Sequence, residues 1–280
     1  MKVVVCLKHA ADPATAAYDV HTETLLQPDW LLGPVDFVAL EAALRLVDAE
    51  GGTVTAVTVG PPRADAVLRH ALTYGADAAV RVWADALEGA DSFTIARALA
   101  AAVARIEPDA VLLGTRSADG GSGCVGPALA ERLGLPFVSN VASVTRSGDG
   151  VVAVRAGDAG WRDEFSASLP AVLAVDEGLN VPRYVAVLGR AYRRGLGLPI
   201  EVLTPAELGL GAADFEPSVV TVSVGQPKPR TKVGTKVTGL SMKEKLSMMR
   251  GQSGKKDKEL FSGPPEEAAR LVLGKLEEWL

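Results

Sequence analysis

The sequence is poor in the residues that form disulfide frameworks, metal clusters and membrane spans. Its 280 residues include two cysteines and three histidines, whose spacings match neither a Cys-x-x-Cys motif nor a metal site. The longest apolar stretches, such as residues 95–106, are interrupted by arginine and fall short of the roughly 20 apolar residues that a transmembrane helix needs. We therefore expect no disulfide scaffold, no metal site, no transmembrane segment and a cytoplasmic location.

An excess of positive charge is also missing from the chain as a whole. The 29 basic and 34 acidic residues give a net charge of −5, and this balance disfavours binding to nucleic acid. The exception is residues 225–262, where ten Lys or Arg stand against three acidic residues and give a local net charge of +7. A basic segment on an acidic body indicates either a docking segment for a partner or a solvated linker.

The first half of the chain alternates short apolar runs with segments of helical periodicity. The apolar runs, which predict buried strands, are residues 3–7, 54–59, 78–82 and 110–113. The helical segments are residues 36–49, 63–74, 92–106 and 124–133. Strands that alternate with helices in this way predict an α/β fold, with a twisted parallel sheet and helices on both of its faces.

The second half of the chain has a different pattern. Residues 141–155, centred on a Ser-Gly-Asp-Gly sequence, predict a β-hairpin. Residues 169–175 predict another buried strand, and the glycines and prolines of residues 176–199 predict a loop. Residues 225–265 have the polar composition of an extended segment, and helical periodicity returns at residues 265–279.

A glycine-rich segment directly follows the predicted strand at residues 110–113 and opens a helix. Five of its thirteen residues are glycine, so a ligand can approach the backbone closely, and amides at a helix N-terminus favour a phosphate. The carboxyl end of a parallel strand is also where open α/β sheets bind ligands. Its spacing matches neither the Rossmann fingerprint nor the P-loop, and the alternative is a flexible crossover loop. The candidate nucleotide-binding residues of this segment are Gly114, Thr115, Arg116, Ser117, Ala118, Asp119, Gly120, Gly121, Ser122, Gly123, Cys124 and Val125.

Two other predicted helices begin with polar residues at the same end of the sheet. Ser92 and Thr94 either cap a helix together with Asp91 or contact a phosphate, and Asp36 is expected to be the N-cap of the first helix. No arrangement of His, Cys, Ser and acidic residues has the pattern of a catalytic centre. The sequence therefore predicts a protein that holds a nucleotide and has no catalytic residues, rather than an enzyme.

Five segments, which follow one another along the chain, match the sequence pattern of a known protein family. They are Val3–Lys8, Gly33–Leu46, residues 110–127, Leu169–Val172 together with Leu179–Tyr184, and Pro229–Val237. With these segments the chain resembles the β subunit of electron transfer flavoprotein over essentially its whole length. The resemblance implies a Rossmann-like adenine-nucleotide-binding domain at residues 1–210. It also implies, at residues 211–280, an extended arm and terminal helix that clasp a partner subunit.

The resemblance implies a heterodimer with an α subunit, which carries most of the FAD. Electrons would pass from donor dehydrogenases through FAD to a quinone-linked or other redox acceptor. The β subunit would hold AMP or, in electron-bifurcating members, a second FAD. Two alternatives remain open: a subunit of an NADH-oxidising bifurcating flavoprotein, and a stand-alone regulatory protein that binds an adenine nucleotide.

The resemblance also assigns residues to two sites. For the nucleotide it implies the glycine-rich segment at 114–125, with Ser92 and Thr94 near the diphosphate of a second flavin, and in addition Cys6, Gly33, Pro34, Val35, Asp36 and Val59. For recognition of the donor it implies Leu179, Asn180, Pro182, Arg183, Tyr184 and Arg190. The alternative is that Leu179 and Tyr184 pack the loop on its own domain.

The chain departs from the family pattern at three of these positions. Gly33 stands where the family commonly has Asn, Gly120 where it has a second acid, and Cys124 where it has Gln. These departures weaken direct side-chain contacts with a nucleotide and leave contacts from backbone amides. A family acid is expected at either Asp163 or Glu164, and the pattern does not decide between them.

Overall fold

The chain divides into two compact units, Met1–Val224 and Gly225–Leu280. In the second unit Glu267, Arg270 and Leu273 are helical, within the terminal helix that the sequence predicts. The predicted arm at residues 225–265 lies outside the described residues. The computed structural model describes residues 1–19, 22, 24–26, 28–157, 160–220, 222, 267, 270 and 273.

The first unit contains thirteen described strands and five described α-helices. The strands are β1 Lys2–Cys6, β2 His9–Ala11, β3 Ala17–Asp19, β4 Thr24–Leu26, β5 Trp30–Leu32, β6 Thr53–Val59, β7 Ala78–Val82, β8 Ala110–Gly114, β9 Phe137–Ser147, β10 Gly150–Ala156, β11 Arg162–Ser168, β12 Ala171–Val175 and β13 Ile200–Leu203. The helices are α1 Pro34–Glu50, α2 Asp65–Tyr74, α3 Ser92–Ile106, α4 Val125–Leu133 and α5 Val187–Gly195.

Nine of the described strands form one sheet, in the order β11-β10-β9-β12-β8-β1-β6-β7-β13. Each neighbouring pair from β9 to β13 in this order is parallel. At the other edge β10 pairs antiparallel with both β9 and β11. The predicted α/β class is therefore confirmed, and the predicted hairpin extends the sheet at this edge.

The apolar core lies on both faces of the sheet because the central strands β1, β8 and β12 are almost entirely buried and successive side chains point to opposite faces. In β1, Val3 and Val5 pack with α1 and α2 on one face. Val4 and Cys6 pack with α3 and α4 on the other face. Small Val and Ala side chains allow the helices to lie close to the sheet, so the loops at the strand ends rest on a rigid layer.

The helix starts confirm one of the predicted caps and correct the other. Asp91 is the N-cap of α3, and its carboxylate accepts hydrogen bonds from the backbone N–H groups of Phe93 and Thr94. The prediction that Asp36 caps α1 is wrong. The N-cap is Gly33, because the helix already begins at the following proline, whose fixed φ suits the first helical position. The side chain of Asp36 instead turns inward.

The loop predicted at residues 176–199 is wrong in its second half, which forms α5. Every residue of α5 is at least partly exposed, so the helix shows no buried apolar stripe of the kind that sequence patterns detect. It packs against α2. The sequence also missed the short edge strands β11 and β13, whose pairing partners supply the reason for their extended conformation.

Candidate functional site

A cavity of about 460 Å³ opens at the carboxyl ends of the central strands. Cys6 ends β1, Val59 ends β6 and Gly114 ends β8, and all three line the cavity. The glycine-rich segment after β8 forms one wall. The start of α3, with Ser92, forms part of another. The position of the cavity at the sheet edge and the volume of the cavity are both typical of small-molecule sites in α/β proteins.

The glycine-rich segment is folded by its own side chains. Ser117 Oγ accepts a hydrogen bond from the amide of Gly121, and Ser122 Oγ accepts one from the amide of Cys124. Ser122 Oγ also lies 3.1 Å from Ser92 Oγ, which brings the segment and the start of α3 together across the cavity. Because the amides of Gly121 and Cys124 already have acceptors, an anion would find free donors at Val125 and Gly126, the first two residues of α4, whose amides lack intrahelical partners.

An ion pair ties β1 to the glycine-rich segment at the wall of the cavity. Lys8 Nζ lies 2.6 Å from Asp119 Oδ1. Burial alone would raise the pKa of Asp119, but the hydrogen bonds from Lys8 and from the amide of Gly120 lower that pKa to about 2. Asp119 therefore stays ionised and keeps the segment in place, and it neutralises a lysine that would otherwise attract a phosphate.

Two buried titratable groups lie at the base of the cavity. Burial raises the pKa of Asp36 to about 7, although the amides of Lys8 and Gly114 donate to its carboxylate and lower the value. Asp36 Oδ2 lies 2.9 Å from the backbone nitrogen of Lys8. Burial also raises the pKa of the Cys6 thiol to about 12, with a further contribution from the charge of Asp36. The base of the cavity is thus largely uncharged up to neutral pH.

A stack of cationic and aromatic groups forms a wall that the sequence did not reveal. His9 stacks on Trp30 with ring centroids 5.3 Å apart and an interplanar angle of 27°. The guanidinium carbon of Arg63 lies 4.5 Å from the centroid of the same indole ring. All three residues line the cavity. His9 and Arg63 follow the carboxyl ends of β1 and β6, a position that could have marked them, whereas Trp30 arrives through the long-range pairing of β5 with β2.

The structure brings most of the predicted nucleotide residues to this cavity. Those that line it are Cys6, Asp36, Val59, Ser92, Gly114, Thr115, Arg116, Ser117, Asp119, Gly120, Ser122, Gly123 and Val125. The predicted residues outside its lining are Gly33, Pro34, Val35, Thr94, Ala118, Gly121 and Cys124. Thr94 is buried within α3, with 2% of its surface exposed. Gly33 lies behind the glycine-rich segment, where an added Cβ would be 3.8 Å from the Cβ of Ala118.

The residues predicted to recognise a donor fall into two groups. Leu179 packs against the core, and Asn180 Nδ2 donates to the Val38 carbonyl oxygen at 3.0 Å. Arg183 forms ion pairs with Glu41 at 2.8 Å and Asp48 at 2.7 Å, both on α1. These side chains fasten the segment to its own domain.

Tyr184 is the member of the predicted set that projects from the surface, with 79% of its area exposed. Pro182 and Arg190 are half-buried, and the Arg190 guanidinium lies 5.5 Å from the Tyr184 ring centroid. Beyond this set, α5 exposes large apolar side chains that the sequence analysis did not single out. They are Val187, Leu188 and Tyr192, followed by Leu196 just past the helix end.

The two candidates for the family acid, Asp163 and Glu164, lie on the edge strand β11. Arg155 on β10 donates to Asp163 Oδ2 at 2.7 Å. Glu164 forms no ion pair within the described part of the chain, and it is exposed. The residues that the structure describes contain no cluster of His, Cys, Asp and Glu suited to a metal ion. In the same residues, no helix is both long and apolar enough to cross a membrane.

Comparison with known proteins places the chain among redox proteins. Residues 26–208 match the family described as Electron transfer flavoprotein domain. The chain is 32% identical to the electron transfer flavoprotein subunit beta of Clostridium acetobutylicum, over 99% of this chain and 98% of that protein. It is 34% identical to the corresponding subunit of Thermoanaerobacterium thermosaccharolyticum, over 74% and 80% of the two chains. It is 35% identical to Protein FixA of Azotobacter vinelandii, over 83% and 86%.

Proposed function

The chain belongs to the electron transfer flavoprotein family as a β subunit, and on that premise we propose that its cavity holds an adenine nucleotide. The observation that carries the proposal is the position of the glycine-rich segment. It forms one wall of a 460 Å³ cavity at the carboxyl ends of β1, β6 and β8, and it leads into the N-terminus of α4. A helix N-terminus attracts a phosphate, and the indole of Trp30 offers a flat surface for a ring.

The cavity residues fit such a nucleotide by backbone approach rather than by charged side chains. An added Cβ at Gly114 would lie 2.5 Å from Asp36 Oδ1, so glycine is needed for the segment to start against α1 at the base of the cavity. Gly123 has φ +67°, which L side chains rarely adopt. Arg116 and Arg63 line the cavity without an ion pair among the described residues, and they are the cations available to a phosphate.

AMP and FAD are the two candidate nucleotides. In favour of a second FAD, Gly89, Ala90 and Ser92 line the cavity opposite the glycine-rich segment, where a diphosphate would have a second wall. This second wall also favours the alternative that the chain is a subunit of an NADH-oxidising bifurcating complex. In favour of AMP, Asp91 already satisfies the first amides of α3, so this wall offers a phosphate few free donors. The relatives' names give no support to a stand-alone regulatory protein.

We further propose that the subunit acts in a heterodimer with an α subunit that carries FAD. FAD would supply the electron-accepting ring, while this chain positions the complex and docks the donor dehydrogenase. The basic residues 225–262 would clasp the α subunit. Exposed Glu164 is available to a partner cation, whereas Asp163 is engaged by Arg155. The free thiols of Cys6 and Cys124 support a cytoplasmic location.

The donor-docking surface of this proposal consists of Tyr184 and the exposed apolar side chains of α5. A cluster of exposed large apolar residues marks an interaction site, and Leu188 is 84% exposed. The ion pairs of Arg183 with α1 hold the preceding segment in position. The acceptor downstream would be quinone-linked or another redox protein.

The deciding experiment is to release and quantify the nucleotides of the purified complex. One FAD and one AMP per αβ pair supports the AMP site, and two FAD per pair supports the bifurcating type. Recovery of FAD alone, at one per pair with no second nucleotide, would contradict the proposed cavity function. The variant Arg116→Gln should lower recovery of the second nucleotide, while Arg132→Gln, on the exposed side of α4, should leave it unchanged.

A further inference from the structure

A second cavity, of about 530 Å³, lies between α2 and α5. Its walls are basic, because α2 contributes Arg69 and α5 contributes Arg190, Arg193 and Arg194. Among the described residues no carboxylate lines it. We refer to this cavity, with its four arginines and His70, as the arginine cleft.

The guanidinium groups of the cleft are held by backbone carbonyls rather than by acids. Arg193 donates to the carbonyl oxygens of Gly75 at 2.8 Å and Ala76 at 3.3 Å, just beyond the end of α2. Arg69 donates from Nη1 to the Leu198 carbonyl oxygen at 2.7 Å. A guanidinium has five N–H donors, and these contacts use one or two of them. The groups are therefore oriented and still have donors to offer.

Arg190, like Arg69, has one hydrogen-bond partner and also lies over the Tyr184 ring, and the side chain of Arg194 has no hydrogen-bond partner among the described residues. Arg190 donates from Nε to the Val185 carbonyl oxygen at 2.7 Å, and Arg194 makes neither an ion pair nor a hydrogen bond within the described part of the chain. Elsewhere in the same unit, arginines such as Arg81 and Arg183 have carboxylate partners. A group of guanidiniums without acids produces a positive potential that concentrates anions.

A histidine that lines the same cleft has a buried ring nitrogen without a partner among the described residues. His70 lines the cleft, and its Nε2 is buried and makes no hydrogen bond to the described residues. The ring is fixed by stacking on Tyr74, with centroids 4.4 Å apart and an interplanar angle of 6°, and by the edge of Phe37 at 5.1 Å. Burial lowers its pKa, as do the charges of Arg190 and Arg194. The ring is therefore neutral at neutral pH and leaves the positive charge of the cleft to the four arginines.

We propose that the arginine cleft binds the diphosphate group of a small ligand. Guanidinium forks match phosphate oxygens in pairs, and they do so better than a lysine cluster would. The cavity volume is in the range of small-ligand sites, about 300–1,000 Å³. A diphosphate has enough oxygens to accept hydrogen bonds from guanidiniums on both helices. Because Arg69 belongs to α2 and the other three arginines to α5, the bound group bridges the two helices.

The test is calorimetric titration of the chain, with the subunit that co-purifies with it, using inorganic pyrophosphate as the probe. Saturable binding at one site per β subunit is expected. Arg194→Gln should weaken it about tenfold, the effect of losing one charge-assisted hydrogen bond. Arg194 supports no other described residue, so its loss should not disturb folding. The matched control is Arg132→Gln, which removes an exposed arginine of α4 that has no ion pair among the described residues.

Absence of saturable binding would overturn the proposal, and so would equal weakening by the two variants. A titration with ADP distinguishes the sources of the group: competition with pyrophosphate that depends on Arg194 points to a nucleotide, and binding of pyrophosphate alone points to the free anion. A glutamate-rich peptide that binds through Arg194 when pyrophosphate does not would make the cleft a protein-docking surface, contrary to the proposal. The outcome does not depend on the nucleotide held at the carboxyl ends of the strands.

Discussion

The carboxylate of Asp36 lies directly against the α-carbon of Gly114. A Cβ added at residue 114 would be 2.5 Å from Asp36 Oδ1 and 3.3 Å from the Asp36 backbone nitrogen. The first turn of α1 and the carboxyl end of β8 are thus in contact through a residue without a side chain. This contact fixes where the glycine-rich segment begins, and it explains why a buried acid is tolerated there, since the Gly114 amide donates to it.

Replacing Gly114 with alanine should therefore displace Asp36 and narrow the base of the cavity. We expect Gly114→Ala to lower the free energy of unfolding by about 1–3 kcal/mol, the range for an overpacked site, and to reduce the nucleotide content of the purified complex. Gly211→Ala is the control, because Gly211 lies outside the cavity lining and its added Cβ would meet no atom within 4 Å. Thermal unfolding and nucleotide release measure both effects. Equal behaviour of the two variants would contradict the contact described above.

The raised pKa of Asp36 predicts that stability falls as pH rises. Its pKa is about 7 in the folded protein against 3.8 for an ordinary aspartate, so between these pH values the folded state holds a proton that the unfolded state has lost. The free energy of unfolding should decrease from about pH 4 to pH 7, by at most roughly 4 kcal/mol. Asp36→Asn should remove this decrease in chemical-denaturation curves recorded across the interval.

Asp119 provides the control of opposite sign. Its pKa is lowered to about 2 in the folded protein, so its contribution to stability is present above the unfolded value and is lost as pH falls towards 2. Asp119→Asn should leave the slope between pH 4 and pH 7 intact. If Asp36→Asn also left that slope intact, Asp36 would be ionised in the folded protein and the cavity base would be charged.

The two thiols should differ in reactivity. Alkylation requires the thiolate, and burial raises the pKa of Cys6 to about 12, with 6% of the residue exposed. Cys124 is half-buried at the end of the glycine-rich segment. Iodoacetamide at pH 8 should label Cys124 and spare Cys6 in the folded protein, as read by peptide mass spectrometry. Both should react in denaturant, and early labelling of Cys6 would show that the cavity base is open.

The sequence is sufficient to predict the central parallel strands and the helices α1 to α4 that cover them. The run from Val3 is continuously apolar because both faces of the sheet are covered, and this signal is local. The cap at Asp91 is local too, since the carboxylate bonds to amides two and three residues further on. Features of this kind depend on neighbours in the chain, which a sequence displays directly.

What the sequence did not reveal depends on distant partners. Trp30 reaches the cavity only because β5 pairs with β2, and Arg183 is engaged by acids on α1 more than 130 positions away. The N-cap of α1 was assigned to Asp36 by residue type, whereas the buried contact with the Lys8 amide is what retains the carboxylate. Helix α5 has no buried apolar stripe, so the sequence of α5 alone does not indicate that this helix packs against α2.

The proposed docking surface can be separated from the contacts that support it. Leu188 is 84% exposed, so Leu188→Ser removes apolar contact area without disturbing the core. We expect it to slow flavin reduction by the donor dehydrogenase about tenfold, on the scale of a buried leucine at an interface, with an unchanged melting temperature. Stopped-flow reduction at varied donor concentration would show a raised apparent KM. An unaltered rate would move the docking site elsewhere.

Arg183→Gln is the contrasting variant. It breaks the ion pairs with Asp48 and with buried Glu41, which is 3% exposed, and leaves Glu41 with Arg45 as its remaining charged partner. Loss of one partner of a buried carboxylate costs about 1–3 kcal/mol. We expect a lower melting temperature together with slower reduction, because the segment before α5 loses its attachment. Slower reduction at unchanged stability would instead mean that Arg183 contacts the donor directly.

Removal of residues 225–280 tests the proposal that the basic segment clasps the α subunit. The first compact unit ends at Val224, and its sheet and core are formed by residues before that point, so the shortened chain should retain its fold. Because ten basic residues lie within 225–262 and charge complementarity contributes to association, heterodimer formation should be lost. Size-exclusion chromatography with multi-angle light scattering measures heterodimer formation.

Replacing the lysines of this segment with glutamine in the full-length chain distinguishes the effect of charge from that of surface area. Weakened pairing that no longer depends on salt supports an electrostatic clasp. A heterodimer that survives the truncation would show that residues 1–224 hold the α subunit by themselves.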